Sequence, residues 1–137
     1  MSVPPLVYAL AAAVYLGFQL TVRLVVYPQL ARVPGEASAG FERAHRRSIT
    51  PLVVLLFGVL ALAATTLLVA GPRSAGVAAA GLFAGVLAVT AFGAVPQHGT
   101  LSQGFDAPAY RRLLRWDTVR VVLALAQVAL GGLVLAW

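Results

Sequence analysis

The chain is 137 residues long, 61% hydrophobic, with ten basic and four acidic side chains and no cysteine, and its mean hydropathy is +0.91. Soluble globular domains carry roughly 45–50% apolar and about 25% charged residues. The composition therefore excludes an ordinary soluble domain and indicates an integral membrane protein. Four bilayer-spanning helices of about 20 residues each use most of the length, so residues 1–137 form a single transmembrane domain.

All ten basic residues are arginine. On so apolar a chain, arginine clusters orient helices against anionic headgroups, so the expected partners are membrane lipids and not nucleic acid. Without cysteine there are no disulfides and no thiolate metal ligands or nucleophiles. The first apolar stretch has no positive segment ahead of it and is too long for a signal peptide's apolar core, so it reads as a helix of the mature protein.

Four apolar runs predict helices over about 5–27, 49–70, 75–95 and 116–137. The second is followed by the turn Gly71-Pro72-Arg73-Ser74, and the third is expected to stop at Pro96, which cannot continue the hydrogen-bond ladder. The fold class is thus all-α, a four-helix transmembrane bundle. Arg32, Arg43, Arg46 and Arg47 lie between the first two helices and Arg111, Arg112 and Arg115 between the last two, against Arg73 alone in the middle turn. This bias predicts a multi-pass protein of the cell membrane with both long loops cytoplasmic and both termini outside.

The halves share a pattern. Pro28-Gln29, Gly40-Phe41-Glu42 and Arg46-Arg47 recur in order as Pro96-Gln97, Gly104-Phe105-Asp106 and Arg111-Arg112. Two pseudo-repeated helix-loop-helix halves are the expected origin. On the third helix Gly76, Ala80, Ala84 and Ala88 recur every four residues, with Gly81 and Gly85 beside them. Such a stripe predicts close helix approach.

Polar residues inside spans are costly, roughly 2.5–3.5 kcal/mol for a charge at the bilayer centre. Tyr8, Ala12, Tyr15, Gln19 and Arg23 fall within about 80° on the first helix, and Asp117, Arg120, Ala124, Gln127 and Gly131 share a face of the fourth. Both faces are expected to turn inward and line a cavity that is wetter toward the arginine-rich side. Competing structural readings are snorkelling for Arg23, an interfacial ion pair for Asp117 and Arg120, and an interhelical hydrogen bond for Gln127. His45 and His98 are placed at the same membrane boundary, His45 as a solvated residue and His98 beside Gln97 as a candidate base. Two histidines and scattered acids do not make metal-ligand spacing, so no metal is expected. A haem held by both histidines is the less favoured alternative.

Pro28 closing the first helix, the run into Ile49-Thr50-Pro51, the stretch Val95-Pro96-Gln97-His98-Gly99-Thr100-Leu101, and Trp116-Asp117-Thr118-Val119-Arg120 together resemble the anthrone oxygenase-like family of small four-helix membrane proteins. The likeness runs along nearly the whole chain through short motifs, and the family commonly has asparagine where His98 and Asp117 stand. It implies an oxygenase of aromatic polyketide pathways that turns an anthrone into an anthraquinone without metal or flavin, using O₂ as co-substrate. On that reading His98 or Asp117 is the base, Arg23 and Arg120 stabilise the anion, and Gln97 and Gln127 position a small hydrophobic substrate. Gln19, Tyr15 and Trp116 complete the expected substrate contacts. A homo-oligomer is expected, and the rival reading from another class is a small-molecule carrier.

Overall fold

The computed structural model describes residues 3–136; the expected helix end at Trp137 lies outside them. Four helices, each long and apolar enough to cross a membrane, make up the chain: α1 (Val3–Leu30), α2 (Gly35–Ala70), α3 (Arg73–Leu101) and α4 (Ala107–Leu135). Among the described residues there is no strand. The protein is thus an all-α, four-helix, multi-pass membrane bundle. Each helix packs on its chain neighbours, and α1 closes the ring against α4.

All four helices run further than the hydropathy pattern predicts, and the two long loops do not exist as loops. Only 31–34, 71–72 and 102–106 connect the helices. The stretch before the second apolar run is the start of α2. Pro34 caps it in a non-helical conformation, Glu36 sits in its first turn against the positive helix end, and from Glu36 to Ser48 the chain is mostly good helix formers with one glycine. The helix continues through Pro51. The start of α4 likewise holds Arg111, Arg112 and Arg115, capped by the Asp106 carboxylate, which accepts from the Ala109 N–H at 2.6 Å.

Pro96 does not stop the third helix, because the backbone widens before it. Val89–Ala94 is a π-helical turn in which the Val95 N–H bonds the Thr90 carbonyl, five residues back. Val22–Val26 does the same in α1, where the Tyr27 N–H bonds the Val22 carbonyl. Each turn is followed one residue later by proline, Pro28 or Pro96. A π-turn re-routes the carbonyls that a proline ring would strike, so both helices pass through the residue expected to end them. The Pro-Gln part of the sequence repeat is therefore a repeated backbone device. The Gly-Phe-acid part is not: Gly40-Phe41-Glu42 lies inside α2, whereas Gly104-Phe105-Asp106 forms the turn before α4, with Gly104 at φ 148°.

The interior away from the arginine-rich end is packed by Tyr8, Tyr15, Leu60, Leu67, Ala79 and Val86. Close approach comes from single glycines. A Cβ on Gly131 would lie 2.9 Å from the Ala9 Cα, and one on Gly76 would strike the Leu68 backbone. The expected stripe on α3 is displaced: Ala75, Gly76, Ala79 and Val86 are buried, while Gly81, Ala84 and Ala88 face outward. Gly76, the first member of the expected row, does meet the Leu68 backbone of α2, and Gly85 faces Leu123 of α4, but the neighbouring buried positions, Ala75 and Ala79, lie one residue ahead of that row. Gly76→Leu should therefore lower resistance to unfolding in detergent by about 1–3 kcal/mol or more, and Gly81→Leu should leave it within about 0.5 kcal/mol.

Candidate functional site

Burial follows the two polar faces. Tyr8, Ala12, Tyr15 and Gln19 on α1 and Asp117, Arg120, Ala124, Gln127 and Gly131 on α4 are all buried. The helices run antiparallel, with Gly131 against Ala9 at one end and Gln19 bonded to Asp117 toward the other. Past Gln19 the inward row of α1 shifts by one: Val22 is followed by Tyr27 and Leu30, not by 26 and 29. The extra residue of the π-turn causes that shift, and it aims the Tyr27 ring into the bundle, where it is 2% exposed.

Asp117 and Arg120 form the electrostatic centre. The Arg120 Nη2 donates to Asp117 Oδ1 and to the Tyr27 hydroxyl, each at 2.8 Å. Gln19 Nε2 donates to the same Asp117 oxygen. The far carboxylate oxygen lies 3.8 Å from Arg23 Nη1, which donates to the Leu114 carbonyl at 2.8 Å. Arg23 is half-buried in the seam between α1 and α4, neither snorkelled free nor inside the cleft described below.

From Tyr27 the network crosses to the other two helices. The Tyr27 hydroxyl lies 3.4 Å from His98 Nε2 on α3, and His98 Nδ1 lies 2.6 Å from Glu42 Oε1 on α2. A carboxylate only accepts, so Nδ1 carries the proton facing Glu42 and Nε2 of the neutral ring is left as acceptor. The Tyr27 hydroxyl, which accepts from Arg120, has its own proton free for Nε2. All four helices therefore supply one connected chain: Glu42, His98, Tyr27, Arg120, Asp117 and Gln19. Its outer edge is held by the α3–α4 turn, where Arg43 donates to the Ser102 carbonyl, Arg46 to the Ser102 hydroxyl, and the Phe105 N–H to Ser38 Oγ.

A cleft of about 190 Å³ opens beside this chain. Gln19, Tyr27, His98 and Arg120 give it a polar floor, and Phe18, Val22, Ile49, Val53 and Ala94 are among its apolar walls. Of the residues expected at the site, His98, Arg120 and Gln19 line the cleft. Asp117, fully buried behind Gln19 and Arg120, holds them in place and does not reach the cleft. Tyr15 and Gln127 are buried deeper among the packed spans, their polar atoms without a hydrogen-bond partner among the described residues. Gln97 accepts from Arg112 on the outer surface, and Trp116 lies on the outer wall over Gly93, where a Cβ would be 2.5 Å from its indole. Neither Gln97 nor Trp116 reaches the cleft.

Two members escape the sequence analysis, Glu42 and Tyr27, and His45, expected to be solvated, instead stands half-buried on the cleft wall with its ring centroid 5.9 Å from that of His98. Glu42 is 2% exposed. Reading the arginine-rich stretch as a helix would find it, because Ser38, Glu42, His45 and Ile49 follow the spacing of one helical face. Among the described residues no three His, Asp or Glu side chains converge as metal ligands.

Removing one member of a buried charge pair leaves the other uncompensated, at a cost of about 3–5 kcal/mol, whereas removing both costs much less than twice that. Asp117→Leu and Arg120→Leu should each sharply reduce stability in detergent unfolding titrations, and the double variant should lose far less than their sum. Strictly additive losses would show the two charges to be independent. No protein-family profile, curated protein or solved structure matches this chain, and its chemistry is read from this geometry.

Proposed function

We propose that the protein is a membrane enzyme that deprotonates a small, weakly acidic, hydrophobic aromatic molecule of the anthrone kind and lets the anion react with O₂. The observation that carries this reading is the pairing of an acceptor nitrogen, His98 Nε2, with the donors of Arg120 and Gln19 on the floor of one apolar cleft. Glu42 fixes the tautomer and supports the positive ring that forms when Nε2 takes a proton. Arg120 lines the cleft and sets its positive charge beside a developing oxyanion. The cleft volume of about 190 Å³ falls below the roughly 300–1,000 Å³ of drug-sized pockets and limits the ligand to a small molecule.

The chemistry balances with O₂ as the oxidant. An acidic ring methylene gives a proton to His98, the anion gives electrons to O₂, and a C–O bond forms. Loss of the second methylene proton with cleavage of the O–O bond leaves a ketone and releases one water, so anthrone and O₂ become anthraquinone and water. Asp117 acts as a positioning residue for Arg120 and Gln19. A haem on His45 and His98 is disfavoured because the cleft beside them, about 190 Å³, is too small for a porphyrin. The repeated π-turn and proline favour a second reading, a small carrier, which would move substrate into vesicles and form no product.

Membranes containing the protein should consume O₂ and form quinone when given an anthrone. His98→Gln and Glu42→Gln should lower the rate by about 10²–10⁴-fold and by a smaller factor, respectively, in folded protein. Saturable uptake without product would sink the enzyme reading. The arginine-rich end is assigned to the cytoplasm and the termini to the outside, so a reporter fused to the C-terminus should be active only on the outer side.

A further inference from the structure

We infer that the ligand of the cleft carries an anionic group, a carboxylate on an apolar ring, which stays outside on a basic vestibule formed by Arg43, Arg46 and Arg47. The inference rests on the reading of the cleft as a ligand site and names the class of molecule it takes.

The cleft is not closed at its outer edge. Arg46 and Thr50 line it, and the same two residues line a second, shallower depression of about 450 Å³ whose other walls are Arg43, Arg47 and Pro51. The two spaces adjoin through a shared rim. Arg46 and Arg47 each lie three or four residues from both Arg43 and Thr50 along α2, which sets the four on one helix face.

This vestibule has positive charge and no answering negative charge. Among the described residues, none of the three arginines has a carboxylate within 4.0 Å. The chain's four acids are committed elsewhere. Glu42 turns inward onto His98, Asp117 holds Arg120, Asp106 caps α4, and Glu36 occupies the first turn of α2. Arg43 and Arg46 are oriented through one nitrogen each by Ser102, leaving the rest of each guanidinium fork free. A guanidinium fork matches a carboxylate in two parallel hydrogen bonds.

A phospholipid headgroup shares this anionic chemistry, but with its acyl chains in the bilayer it leaves the adjoining cleft of about 190 Å³ unfilled. A compact aromatic acid fits both spaces at once. Its charge stays at headgroup depth, where ionisation is tolerated, while its ring enters between α2 and α3 past Val95, which is 49% exposed at the mouth. Anchoring the carboxylate on the vestibule fixes which ring carbon reaches His98.

The test is fluorescence binding of anthracene-2-carboxylate and its neutral methyl ester to the full chain in phosphatidylcholine nanodiscs, each corrected for uptake by empty nanodiscs. The acid should bind roughly two- to fivefold more tightly than the ester, as expected for one partly exposed charge pair. That preference should fall to near parity in Arg47→Gln and in Arg46→Gln/Arg47→Gln, and it should survive inclusion of phosphatidylglycerol. Arg47 makes no side-chain hydrogen bond among the described residues, so the single variant keeps the strap on Ser102 intact. Equal binding of acid and ester, both abolished by Val95→Trp at the mouth, would overturn the anionic vestibule and leave the cleft as a ligand site. A preference that persists in both arginine variants would also overturn it. A preference erased by phosphatidylglycerol would make the vestibule a lipid headgroup site instead. Binding of neither probe would overturn the vestibule and the cleft together.

Discussion

A guanidinium lowered into a membrane bundle must have its charge met by protein, and the Arg120–Asp117 pair is where this fold meets that demand. The pair sits within one turn of α4, fully shielded on the Asp117 side. A single ion pair does not exhaust either partner. Gln19 and Arg23 from α1 approach the carboxylate, and Tyr27 takes a second donor from the guanidinium. The α1–α4 contact must therefore be intimate, and the bare backbone at Gly131 lets Ala9 come close enough to keep the two helices together.

The same demand propagates outward. Tyr27 accepts from Arg120, so its proton faces His98, and His98 in turn faces Glu42. Each step fixes the hydrogen-bond direction of the next, which leaves the imidazole with a defined acceptor nitrogen at the cleft. Charge burial and the orientation of the imidazole thus come from one network and cannot be varied separately. A weakened Asp117 contact would alter the orientation of groups on helices it never touches.

Periodicity alone locates much of this. The faces carrying Gln19 and Arg120 are legible because polar residues at helical spacing in apolar runs have nowhere cheaper to go than inward. Glu42 is not legible in that way, because arginine-rich sequence at a membrane edge has the composition of a loop, and nothing in hydropathy distinguishes a solvated loop from a helix that continues above the bilayer. Pro28 and Pro96 mislead for a related reason. Proline forbids a normal α-helical turn, but a widened turn ahead of it removes the obstacle, and that widening leaves no compositional trace. Gln97 and Trp116 stand near the right boundary in sequence yet point outward, since a one-residue shift in a helix rotates a side chain by about 100°.

The duplicated π-turn has an asymmetric outcome. The residue between each widened turn and its proline is Tyr27 in α1 and Val95 in α3. In the first half that position holds an aromatic ring at the centre of the network; in the second it is a short aliphatic side chain at the rim of the cleft. Two copies of one backbone irregularity thus serve opposite ends of the same chamber, one sealing its floor and the other thinning its lipid-facing wall. The equivalent position thus marks the back of the chamber in one half of the chain and its front in the other.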